Sequence, residues 1–328
     1  MKRVFSGIQP SGNLHIGNYL GAIKNWVASQ ESYENVFCIV DLHAITVPQD
    51  PKELKIKIRE LAGILLAGGI DPEKSALFVQ SDISAHTELA WILNCFTPMG
   101  WMEKMTQFKE KSGEGRERAS VGLFDYPALM AADILLYETD AVPVGQDQKQ
   151  HVELTRNVAQ RFNSIYGDTF KLPEPVIPEA GAKLMGLDDP TRKMGKSAGK
   201  PGHAIFLLDS PDEIRGKIMR ATTDSSREII FDEERPGIYN LLEIYELFSG
   251  MSKRDIESKF AGYSYSDFKE ELAEAVIKGL KPLQDRYKEM TENPETLDKL
   301  LKEGAEKARP LAEKTLARVK EKIGLGSV

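Results

Sequence analysis

Cysteine is scarce in this 328-residue chain: there are two, Cys38 and Cys95, with no C-x-x-C spacing. That argues against a disulfide framework, a zinc site or a redox pair, and both sit in apolar contexts that read as buried packing residues. No window approaches the roughly 20 apolar residues that cross a bilayer. Met1-Lys2-Arg3 leads straight into a short β-like run rather than a signal-peptide core, so no membrane partner and a cytoplasmic location are expected. An excess of positive charge is also missing. The net charge is −7, which disfavours a general nucleic-acid coat yet leaves room for a local basic patch facing one polyanion. Repeats and coiled-coil heptads are absent. What remains, 41% hydrophobic and 28% charged, is an ordinary globular composition with enough chain for one large and one smaller domain.

Short apolar runs alternate with helical patterns in the first half. Val4 to Ile8, Asn35 to Val40, Ala76 to Gln80 and Val142 to Gly145 read as strands, with helices expected over 16–30, 51–67, 125–137 and 147–166. This is the rhythm of βαβ units and a parallel sheet. Ala204 to Leu208 reads as the last strand. Ser210-Pro211-Asp212-Glu213 is a helix start, with Ser at N-cap, Pro at N1 and acids in the first turn. From there the chain is almost all helical, notably over 268–289 and 294–322. Gly113 to Ser120 reads as a polar, glycine-rich loop.

Two segments carry chemistry. In the first, Gln9-Pro10-Ser11-Gly12-Asn13-Leu14-His15-Ile16-Gly17-Asn18, a strand feeds a turn and a helix start, where backbone N–H groups and the helix dipole suit phosphate. Gly17 lets a flat ring approach the backbone, and His15 offers a ring donor. In the second, Lys193-Met194-Gly195-Lys196-Ser197, two lysines three apart among glycines can close on a pyrophosphate. Separately, Tyr126, Met130, Asp133 and Tyr137 fall on one face of the 125–137 helix. A carboxylate on so apolar a face, without a partner, is costly as packing alone.

These strings resemble the HIGH and KMSKS motifs of class I aminoacyl-tRNA synthetases. The text around Asp41-Leu42-His43-Ala44, Met105 to Ser112, Met130 to Leu135 and Gly145 to His151 resembles the bacterial tryptophanyl-tRNA synthetase family over essentially the whole chain. The resemblance implies a Rossmann-like parallel-sheet catalytic domain over 1–206, with a helical connecting insertion at about 98–166. It also implies an all-helical anticodon-binding domain over 207–328. The implied reaction is activation of tryptophan with ATP and Mg²⁺, followed by transfer to tRNA(Trp), in a homodimer on which one tRNA spans both subunits.

Carried onto this chain, the catalytic residues are His15, Lys111, Lys193 and Lys196. Nucleotide contacts fall on Gln9, Pro10, Ser11, Gly17, Asn18, Gly145, Gln146, Asp147 and Leu184, and on Lys193 to Ser197, including Met194 and Gly195. The tryptophan slot is assigned to Phe5, His43, Tyr126, Met130, Asp133, Val142, Val144 and Gln148, with Asp133 accepting the indole N–H. Two positions depart from the family pattern. Asn18 stands where His is usual, and Gly195 stands where Ser is usual, which removes a hydroxyl but keeps both lysines. A tyrosyl-type synthetase and a non-catalytic RNA-binding paralogue are the rival readings.

Overall fold

The computed structural model describes residues 1–105, 120–177, 184–195 and 202–326, apart from the side chain of Asp147. Lys111, Lys196 and Ser197 therefore lie outside the described residues, as does most of the 113–120 segment. Five strands form one sheet: β1 (Lys2–Ile8), β2 (Tyr33–Ile39), β3 (Ala76–Val79), β4 (Ala141–Pro143) and β5 (Glu174–Val176). Their order is β3-β2-β1-β4-β5 and every pairing is parallel, with Phe5 opposite Val36 and Val4 opposite Ala141. The buried runs 36–39 of β2 and 77–79 of β3 are continuously apolar because helices cover both faces. From β1 the chain moves outward through β2 to β3, then returns to the other side of β1 for β4 and β5. The carboxyl ends of β1 and β4 thus flank the switch point where open α/β sheets bind ligands.

The Ala204–Leu208 run is not a strand of this sheet. Ile16 N–H donates to Ile205 O (3.0 Å), Leu207 N–H donates to Leu14 O (2.9 Å), and His15 pairs antiparallel with Phe206. The run is apolar because Ala204, Ile205 and Leu207 are buried beside Leu14 and Ile16. The fifth sheet strand is instead Glu174–Val176, whose sequence carries little strand signal; its Pro175 is tolerated because β5 is an edge.

The first helix is continuous but irregular: Ile16–Asn18, a π-helical turn over Tyr19–Ile23, then Lys24–Ser29. Pro51–Ala67 starts as the sequence suggests, with Asp50 accepting from the Lys52 and Glu53 amides, both at 2.9 Å. Val121–Leu135 is capped by Ser120, and Pro211–Met219 carries a capping box between Ser210 and Glu213. Ala85–Phe96 and Lys149–Tyr166 are further helices of the first half, and the helices after Pro211–Met219 are Pro236–Ser249, Lys253–Phe260, Tyr265–Thr291 and Pro294–Ile323.

The last helix lies against β3. A Cβ on Gly304 would overlap the Leu77 carbonyl, so only glycine permits that approach. Its basic residues also differ from a merely solvated face: Arg309 donates to Asp82 O (2.9 Å), Arg318 pairs with Glu138 (2.7 Å) and Lys320 with Glu88 (2.7 Å). Cys38 is buried in β2, and burial pushes its thiol well above the usual range. Cys95, expected inside, is exposed on the Ala85–Phe96 helix. Among the described residues no helix is long and apolar enough to cross a membrane.

Candidate active site

A cavity of about 780 Å³ opens at the carboxyl ends of β1 and β4. All eight residues assigned to the amino-acid slot line it: Phe5 from β1, His43 after β2, Tyr126, Met130 and Asp133 from the Val121–Leu135 helix, Val142 from β4, then Val144 and Gln148. Gln9 and Gly145, assigned to the nucleotide, line it too. The alternation of β1 and the i, i+4, i+7 spacing on the helix are what turn these side chains toward one space. Tyr137, expected on the same face, is fully buried behind it, past the helix end, and stacks on Phe5 with ring centroids 5.7 Å apart. Ser6, Gly7 and Trp26 also line the cavity and carried no sequence signal for it.

Asp133 is buried, and it has partners. Its Oδ1 accepts from Gln80 Nε2 (2.6 Å) and pairs with His86 Nδ1 (2.7 Å), while Oδ2 pairs with His43 Nε2 (2.8 Å). Burial raises its pKa, but the hydrogen bonds and charge of His43 and His86 outweigh that and hold it down at about 2. An ionised carboxylate only accepts, so His86 Nδ1 donates. Tyr137 Oη lies 2.7 Å from His86 Nε2, and burial pushes its own pKa up. Gln80 is fixed from behind, its Oε1 accepting from Leu42 N–H (3.1 Å). Two donors on Oδ1 and one on Oδ2 leave one acceptor direction on Oδ2. The carboxylate is thus explained by packing partners as well as by any ligand, and Gln80 and His86 are the residues sequence reasoning missed. A histidine buried on the apolar face of Ala85–Phe96 was the available signal.

Tyr126 Oη lies 2.9 Å from His151 Nε2. The two distant motifs meet through Leu184 and Met185. Met194 N–H donates to Leu184 O (2.9 Å), Lys193 pairs antiparallel with Met185, and Leu184 Cβ is 3.9 Å from where a Gly17 Cβ would sit. Three details belong to the geometry here. The amides of Ile16 and Asn18 already donate to Ile205 O and His15 O, so the first turn is not a row of free donors. The ring over Gly17 is the protein's own: His15 lies 3.0 Å from the would-be Cβ. The side chains of Met194 and Leu184 are in the core, and Asn18 Oδ1 accepts from His15 N–H (3.1 Å) rather than facing outward alone. Lys193 is exposed, whereas Lys111, Lys196, Ser197 and the Asp147 side chain lie outside the described residues. Gln148, not Asp147, is the N-cap of the Lys149–Tyr166 helix.

The parallel sheet thus carries a cavity at its switch point, with Lys193 and Met194 held through Met185 and Leu184 beside the Gly17 turn. The family model described as tRNA synthetases class I (W and Y) matches residues 1–281, and the chain belongs to that family. Within it the relatives are specific. The chain is 59% identical to the tryptophan–tRNA ligase of Wolinella succinogenes and 58% identical to that of Caldanaerobacter subterraneus, covering 99% of this chain and of each relative. Tryptophanyl-tRNA synthetase from Campylobacter jejuni, solved with ADP and tryptophan, superposes with a TM-score of 0.87 at 40% identity. The match covers 98% of this chain and 100% of that one. The enzyme from Mycoplasma pneumoniae gives 0.89 at 37%, over 100% and 99% of the two chains. The membership is that of the bacterial tryptophan–tRNA ligases.

Proposed function

We propose that this chain activates L-tryptophan with MgATP to tryptophanyl-adenylate, releasing pyrophosphate, and passes the acyl group to tRNA(Trp). The observation that carries this reading is the 780 Å³ cavity with an ionised, tethered Asp133 in its wall. An indole N–H only donates, so a fixed carboxylate in an apolar slot of Phe5, Met130, Val142 and Val144 suits it. Tyr126 and Gln148, which line the same cavity, would hold the substrate ammonium. The attacking carboxylate is already ionised at neutral pH and needs no base. Catalysis is then in-line positioning plus charge neutralisation on the phosphates by Lys193, Lys196, Lys111 and His15. Gln9, Pro10, Ser11, Gly17, Asn18 and the 145–147 turn would hold adenine and ribose. Mg²⁺ would arrive on the triphosphate as part of the substrate.

The same reading assigns the catalytic domain to 1–206 and anticodon recognition to 207–328, in a cytoplasmic homodimer. Support for the dimer comes from a second groove, in which exposed Ile45 and Trp91 join Leu42, Ala90 and Leu129. Tyr126 lines both this groove and the cavity, so association would bear on the site. Trp91→Asp should shift the sedimentation coefficient to that of a monomer; an unchanged dimer would place the interface elsewhere. The activity is tested by amino-acid-dependent ATP–pyrophosphate exchange with each of the twenty amino acids, then by charging of tRNA. Tryptophan alone should support exchange. Exchange driven equally by tyrosine would favour the tyrosyl-type reading.

A further inference from the structure

His203 belongs to neither motif. Its ring is buried, and it spans the two stems on either side of the lysine loop. Nδ1 lies 2.5 Å from Asp188 Oδ1, and Nε2 lies 3.2 Å from the backbone carbonyl of Lys193. The ring occupies the space beside Gly186 where any Cβ would collide with it, so the glycine is there to admit the imidazole. The surrounding backbone is tied as well: Gly186 N–H donates to Arg192 O (2.8 Å), Leu187 N–H to His203 O (2.9 Å), and Thr222 Oγ1 to Asp188 O (2.8 Å).

We infer that His203 is a positioning residue for Lys193, its ring tying the backbone of the first loop lysine to Asp188 and the Gly186 turn. A backbone carbonyl only accepts, and so does an ionised carboxylate, so both ring nitrogens face acceptors and the ring is fixed between them. Lys193 and Arg192 are both exposed.

The inference rests on the proposed role of Lys193 in activation, so the test has separate arms. In ATP–pyrophosphate exchange, His203→Gln should lower kcat about ten- to a hundredfold, the scale of a misplaced catalytic group, with the KM for tryptophan unchanged. Gly186→Ala, which displaces the ring, should reproduce that split. Wild-type kcat in His203→Gln, while Lys193→Ala is impaired, overturns the inference alone. Wild-type kcat in Lys193→Ala overturns the reading beneath it. Equal changes in kcat and tryptophan KM, with a lowered Tm, would mark His203 as merely structural and also overturn the proposal.

Discussion

Replacing Asp133 by Asn keeps the shape of the side chain and changes one oxygen into a donor. Oδ1 already holds Gln80 and His86 at 2.6 and 2.7 Å, so the new NH₂ is forced to the Oδ2 position. There it meets His43, which can exchange tautomers and accept, and on the proposed reading it would confront the indole N–H as donor against donor. The loss is one charge-assisted hydrogen bond, about 1.5–3 kcal/mol, and so about a ten- to 150-fold fall in kcat/KM for tryptophan. The assay is pyrophosphate exchange with tryptophan and, in parallel, with β-(3-benzothienyl)alanine, whose sulfur replaces the N–H at similar size. The wild type should prefer tryptophan, and Asp133→Asn should collapse that preference while the analogue is little affected. Equal losses on both substrates would mean that Asp133 serves packing only, and an unchanged ratio would remove it from recognition.

Three further outcomes follow from the same coordinates. Asp133 has its carboxyl lowered from 3.8 to about 2, so its ionised form stabilises the fold fully above pH 3.8, and that contribution is lost as pH falls through about 2. Acid unfolding of Asp133→Asn should therefore lack this part of the slope between pH 4 and 2; a superimposable pH dependence would refute the charged network. Gly304→Ala puts a methyl into the Leu77 carbonyl and should cost about 1–3 kcal/mol in urea unfolding, whereas a neutral result would mean that the last helix is not seated on β3. Ser210→Ala removes one half of a capping box and should cost about 1 kcal/mol with exchange activity unchanged.

Periodicity carried the sheet and most helices because local chemistry and burial agreed there. The buried runs of β2 and β3 are apolar on both faces, and Asp50 and Ser210 are caps whose partners lie within three residues. It failed where burial arises from distant chain. Ala204 to Leu207 is apolar because it lies against residues 14–16, and a five-residue run does not say which backbone it pairs with. β5 is short, polar and interrupted by Pro175, so nothing local marked it. The slot was legible because Phe5, Met130, Asp133 and Val142 stand at strand and helix spacings that face one space. Gln80 and His86 were not, since their role depends on meeting a carboxylate 53 and 47 positions away. Cys95 shows the same limit in reverse: an apolar neighbourhood in sequence lies on a helix whose outer face is open.

The measurement closest to the centre of this account is a structure of the protein with tryptophan and a non-hydrolysable ATP analogue. The indole nitrogen should lie within about 3.2 Å of Asp133 Oδ2, with Gln80 and His86 still on Oδ1 and the triphosphate between Gly17 and Lys193. Tryptophan bound outside the β1–β4 cavity, or inside it with its N–H on another acceptor, would contradict the assignment.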